Sequence, residues 1–154
     1  MIQHQFIETN ILVRVVANDH PVQSPQSTAL LQRIAEGEAQ GLVSMTVLFE
    51  AVYVLTGVYK LDRISIGESL IAFVGTPGIE LLDCEAAHFI KTVALYMSIP
   101  RLSFADCYHA VLSLALCNGE IYTFDQDFDR VPDLIRREPG GHLEQPERPA
   151  PRPE

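Results

Sequence analysis

Short apolar runs alternate with helical patterns along most of this chain, and that alternation restricts the fold more than any other feature. "QFI", ahead of Glu8, reads as a short buried strand. "TNILVRVVAND" after it reads as a helix, with Thr9 or Asn10 supplying the N-cap oxygen. "LVS", "IELLD" and "IYTFD" read as three further strands. "SPQSTALLQRIAEGEAQG" carries Leu30, Leu31, Ile34 and Ala35 at helical spacing and ends at Gly41. "SIGESLIAFVGTPG", "CEAAHFIKTVALYMSIP" and "SFADCYHAVLSLALCNG" read as helices stopped by Gly75, Pro100 and Gly119, and "DFDRV" begins a short helix or turn. "TVLFEAVYVLTGVYK" is apolar nearly all round except at Glu50, the pattern of a mostly buried helix. Short apolar strands separated by helices form a parallel sheet covered on both faces. The expected fold is therefore α/β, three-layered as α/β/α, with a short central parallel sheet.

The chain has 154 residues, enough for one domain with a sizeable core. From about Pro139 the stretch "PGGHLEQPERPAPRPE" is rich in proline and charge and lacks an apolar anchor. The expected organisation is one domain over 1–138 and a disordered tail over 139–154. No apolar run reaches the roughly 18 residues of a membrane span, and no basic-then-apolar leader is present, so a cytoplasmic protein is expected. Cys84, Cys107 and Cys117 show no C-x-x-C spacing, which points to buried thiols rather than disulfides or zinc. The net charge of −9 weighs against a nucleic-acid partner unless many of the acids share a neutralising metal ion. No glycine-rich phosphate loop or Ser-His-Asp signature appears.

The acids fall at particular places. Glu8 ends the first strand, Asp125 ends the fourth, Asp106 lies in the first turn of a helix, and Glu50 sits among Val47, Leu48, Phe49, Ala51 and Val52. In a parallel sheet both strand ends lie on one rim, where ligands bind. Each acid also has a plainer reading. Asp106 stands three residues after Ser103, as in a capping box. Glu8 is compatible with a solvated strand end, and Asp125 and Asp127 with a turn. Glu50 either lies on a narrow polar stripe or needs a partner, since an unpaired buried carboxylate costs several kcal/mol. A cation shared among the acids would be that partner, and oxygen-only ligands suit Mg²⁺ or Mn²⁺. His109, one turn after Asp106, either packs in the helix or touches the same rim, and Arg14 faces a phosphate or pairs with an acid.

"FIETNILVR", "LFEAVYVL", "LSFADCYHAVLSLA" and "IYTFDQDFDRV" together resemble, in order and spacing, the landmarks of PIN-domain ribonucleases, most of all the VapC toxins of type II toxin–antitoxin systems. The resemblance runs from about Met1 to Arg137. It implies a PIN fold, Mg²⁺- or Mn²⁺-dependent endoribonuclease activity on RNA, a homodimer, and inhibition by a VapB-type antitoxin whose tail brings a basic residue to the acidic pocket. It also implies that Glu8, Glu50, Asp106 and Asp125 are the pocket acids and metal ligands, with Asp127 secondary and Thr9, Asn10 and Thr123 as orienting polar groups. The first motif departs from the family pattern: it reads E-T-N where the family has D-T-N. An extra methylene displaces a carboxylate by roughly 1.5 Å, and a misplacement of about 1 Å can cost on the order of 100-fold in rate. Two readings follow, a working nuclease or a PIN-like protein that binds antitoxin or RNA without cutting.

Overall fold

Parallel strands cannot be joined by tight turns, so every connection must cross over the sheet, and helices do this here. The computed structural model describes residues 4–82 and 85–140. In chain order they form β1 (His4–Ile7), α1 (Thr9–Ala17), α2 (Gln23–Ala35), β2 (Gln40–Ser44), α3 (Met45–Gly57), α4 (Arg63–Val74), β3 (Ile79–Leu82), α5 (Ala86–Ser98), α6 (Phe104–Leu116), β4 (Glu120–Tyr122), a 3₁₀ turn (Gln126–Arg130) and β5 (Ile135–Arg137). The strands make one sheet in the order β3-β2-β1-β4-β5, and every pairing is parallel. This is the expected α/β/α arrangement.

The order puts β1 at the centre. Phe6 is level with Leu42 of β2 on one side and Ile121 of β4 on the other. Phe6, Ile7, Val43 and Ile121 are wholly buried, each burial contributing roughly 1.5–3 kcal/mol. Because Ile7 pairs with Tyr122, the residues that follow, Glu8 and Thr123, leave the sheet on the same rim. Ser44 ends β2 beside them, and α3 begins at once.

Four expectations need correction or fall outside the described residues. The N-cap of α1 is Glu8 itself, not Thr9 or Asn10. A fifth strand, β5, is present; "IRR" has a single apolar residue and no periodic signal, and its anchor is remote in sequence. That anchor is the buried Glu120, which accepts hydrogen bonds from Arg137 at 2.9 and 3.0 Å and from Gln5 at 3.0 Å. Helix α3 is not mostly buried: Val47, Ala51 and Leu55 face the core, while Phe49 and Tyr53 are 66% and 79% exposed. An apolar composition all round a helix does not guarantee neighbours on every side. Cys107 and Cys117 are buried free thiols, whereas Cys84 and residues 141–154 of the expected tail lie outside the described residues.

Gly119 turns the chain from α6 into β4 with φ +78°, and a Cβ there would stand 2.7 Å from the Asp133 carbonyl oxygen. Left-handed backbone costs a non-glycine residue about 1–2 kcal/mol before any clash. Gly119→Ala is therefore expected to lower the melting temperature by roughly 3 °C or more, read by circular dichroism; an unchanged melt would contradict this account of the turn.

Candidate metal centre

The rim collects side chains from four separate elements. Glu8 is only 4% exposed, and its side chain folds back so that Oε2 accepts a hydrogen bond from the Asn10 backbone N–H at 2.9 Å. That bond caps α1, so the residue that ends the strand also starts the helix. Glu50, from α3, accepts at Oε2 from the Thr9 hydroxyl at 2.7 Å. Asp106, in the first turn of α6, forms a capping box with Ser103: its Oδ2 accepts from the Ser103 N–H at 3.1 Å and hydroxyl at 2.7 Å. Asp125, past the end of β4, accepts at Oδ1 from the Asp127 N–H at 2.8 Å. Asp106 makes the expected capping box and also lines the rim cavity, because one carboxylate has two oxygens. The same division holds for all four acids. One oxygen of each is held by a protein donor, and the other is left without so close a donor, that of Glu8 facing His109 Nδ1 at 3.4 Å.

The four carboxylates line one open cavity of about 380 Å³ with Thr9, Asn10 and Arg14. Asn10 fastens its two sides together: its amide donates to Thr123 Oγ1 at 2.8 Å, and its carbonyl accepts from the Phe124 N–H at 3.3 Å. Thr123 in turn accepts from the Asp125 N–H at 3.1 Å. Asp127 is placed differently. Its carboxylate pairs with Arg101 and Arg130, each at 3.2 Å, and it does not line the cavity. Arg14 does line the cavity, but it is committed to Asp19 at 3.0 Å, to Gln23 and to Tyr59 rather than to the acids.

His109 is the least expected member. It is fully buried, with Nε2 2.8 Å from Thr46 Oγ1 and 3.9 Å from Glu50 Oε2. Its Nδ1 lies 3.4 Å from Glu8 Oε1 and has no hydrogen-bond partner. The signal in the sequence was its position three residues after Asp106, which puts both on one helix face. Thr46 carried no signal, since nothing in the chain links it to residues 8 or 109.

Burial drives the electrostatics. Loss of water pushes the Glu50 carboxyl above its ordinary value; the Thr9 bond and His109 oppose this, and the charges on Glu8 and Asp106 add to it. Loss of water likewise raises Asp106, the Glu8 charge adding to it and the Ser103 bonds opposing it. For Glu8 burial also pushes upward, but His109 and the Asn10 and Thr9 amides outweigh it and hold the carboxyl below its ordinary value. The cavity therefore holds carboxylates that repel one another, with Arg14 already neutralised by Asp19. Ligand atoms of Glu8, Asp106 and His109 lie within 4.8 Å of one another. Free carboxylate oxygens converging on an open space fit a hard divalent cation. A larger cavity of about 830 Å³, between α3 and α4, is lined by Phe49, Val52, Tyr53, Arg63 and Leu70 and contains none of these acids.

A model of the PIN domain family matches residues 6–134. No curated protein matches the chain. Solved structures share its fold, among them two toxin-system proteins. VapBC2 from Rickettsia felis, bound to a DNA fragment from its promoter, matches with a TM-score of 0.67 and 23% identity over 88% of this chain and 98% of that one. The sarcin–ricin-loop-cleaving toxin VapC20 from Mycobacterium tuberculosis matches with a TM-score of 0.65 and 15% identity over 80% of this chain and 92% of that one.

Crowded carboxylates oppose folding when no cation is bound. Glu50 and Asp106 have folded values above 4.5 and 3.8, so the stability tied to their protons is present at low pH and lost as pH rises through the raised values. Glu8 is the reverse: its contribution is present above 4.5 and lost as pH falls through its lowered value. In chelator-treated protein at pH 7, Glu50→Gln is expected to melt higher than wild type and Glu8→Gln lower. Millimolar Mn²⁺ should raise the wild-type melt more than that of Glu50→Gln. A Glu50→Gln melt at or below wild type without metal would contradict the repulsion.

Proposed function

The chain belongs to the PIN-domain family, and from that premise we propose that it is a VapC-type toxin, a divalent-metal-dependent endoribonuclease that cuts RNA phosphodiester bonds. The observation that carries this reading is the convergence of Glu8, Glu50, Asp106 and Asp125, distant in sequence, on one cavity at the carboxyl rim of a parallel sheet.

Those four acids would hold Mg²⁺ or Mn²⁺, with Asp127 in a secondary place outside the cavity. A cation held there would supply the means to activate water and to stabilise charge on a phosphodiester. The protein's own groups do the rest. Thr9 fixes Glu50, Ser103 fixes Asp106, and Asn10 and Thr123 fix the loop that carries Asp125. A divalent cation in the cavity would also lessen, at the cavity itself, the repulsion that a chain of net charge −9 offers to RNA. The Mycobacterium neighbour is a toxin that cleaves the sarcin–ricin loop, and the Rickettsia neighbour is a VapBC assembly on promoter DNA. They support a structured RNA of the translation machinery as substrate and a VapB-type antitoxin as partner. The protein would work in the cytoplasm as a homodimer, its PIN domain spanning 1–138 with a short tail over 139–154. No helix among the described residues is long and apolar enough to cross a membrane.

The alternative, a PIN-like protein that binds without cutting, rests on the extra methylene of Glu8. The fold-back of that side chain onto its own helix weakens it, since the added length is taken up by the cap rather than projected into the cavity.

Incubation of purified protein with RNA and Mg²⁺ or Mn²⁺ is expected to give cleavage that chelator stops and that Asp106→Asn reduces by about 100-fold or more. Equal cutting by wild type and Asp106→Asn would assign the activity to a contaminant, and antitoxin binding without any cutting would favour the alternative.

A further inference from the structure

We propose that His109 is a positioning residue for Glu8, and that Glu8, His109 and Thr46 form one unit that lets a glutamate do the work of the shorter acid usual at this place. The inference rests on the metal-site reading above.

Glutamate is not among the favoured N-caps, because its longer chain must fold back on its own backbone to reach the second helical N–H. Glu8 does this, with Oε2 at 2.9 Å from the Asn10 N–H. The adjoining backbone amides of Thr9 and Asn10 hold the carboxylate from one side only. The second restraint is the imidazole facing Oε1 from the other side at 3.4 Å. The ring cannot turn away. It is wholly buried, its Nε2 is tied to Thr46 Oγ1 at 2.8 Å, and the Thr46 hydroxyl is 2.5 Å from Ser44 Oγ. Phe6 packs on it with ring centroids 5.2 Å apart.

Buried polar atoms usually have a hydrogen-bond partner, and one without calls for a reason; His88 Nδ1 is another such atom, but only that of His109 faces a carboxylate of the rim. Here Nδ1 is buried without a hydrogen-bond partner and points at the one oxygen of Glu8 that the cap leaves unused. The 3.4 Å separation is longer than an ordinary N–H···O bond, yet short enough for the ring to bias where that oxygen sits. The restraint depends on the length of residue 8. An aspartate there ends about 1.5 Å short and loses the contact, so the ring should matter more for glutamate than for aspartate, whatever its separate effect on Glu50.

The test is a double-mutant cycle read by calorimetric Mn²⁺ titration of the full chain. In the wild-type background His109→Leu is expected to weaken Mn²⁺ binding roughly 10–100-fold, the usual effect of losing a group that orients a ligand. In the Glu8→Asp background the same substitution is expected to change it by less than about 3-fold. Thr46→Val keeps the ring but removes its anchor, and should show the same dependence on residue 8 with a smaller loss; it carries the test if His109→Leu does not fold. Equal losses in the two backgrounds, or no loss in either, would overturn the proposal. Normal Mn²⁺ binding with no RNA cleavage would sink the nuclease reading and leave this one standing, whereas a wild type that binds no Mn²⁺ at millimolar concentration would sink both.

Discussion

Everything at the rim answers one difficulty: carboxylates packed closely in a place with little water repel each other and want their protons back. The chain meets it four times in the same way. Each acid commits one oxygen to a donor: an amide within two residues for Glu8 and Asp125, the amide and hydroxyl of Ser103 for Asp106, and for Glu50 the hydroxyl of Thr9 on another helix. The second oxygen has no such close donor, that of Glu8 facing only the His109 ring at 3.4 Å. Anchoring half of each carboxylate fixes where the other half is, without neutralising it. Stability is given up for a preformed arrangement of negative charge, the trade expected of a functional site.

The sheet makes this possible. Parallel pairing brings the ends of β1 and β4 side by side, and the helices that follow open on the same edge. Local bonds then convert rough placement into fixed placement. Asn10 is the clearest case, since one side-chain amide bridges the start of α1 to the loop after β4 with both its donor and its acceptor. Glu8 does a comparable double task at the strand–helix junction.

The sequence carried the architecture well, because apolar runs and glycine or proline stops report directly on burial and turn geometry. The acids were legible for the same reason: a charge inside "LFEAVYVL" or after "QFI" needs an explanation. What was not legible depends on contacts between distant elements. β5 exists through Arg137 reaching Glu120, and "IRR" by itself has no strand pattern. The choice of Glu8 over Thr9 or Asn10 as cap turned on a side chain folding back, which helix-start statistics disfavour. Asp127 stood in the right motif, yet Arg101 and Arg130 hold its carboxylate elsewhere. Thr46 and His109 became linked only when α3 and α6 were brought together.

Helix α3 shows two characters. One stripe enters the core, Glu50 reaches the cavity, and Phe49, Val52 and Tyr53 stand bare beside the groove shared with α4. That bare surface sets the colloidal behaviour of the isolated chain. Apolar patches adhere to one another, and what opposes this is long-range repulsion between molecules that each carry a net charge of −9. Such repulsion is screened within about 10 Å at 0.1 M salt and vanishes as the acids are titrated. The excess of acid that crowds the rim thus also opposes self-adhesion of that face, and high salt or mild acid weakens the opposition.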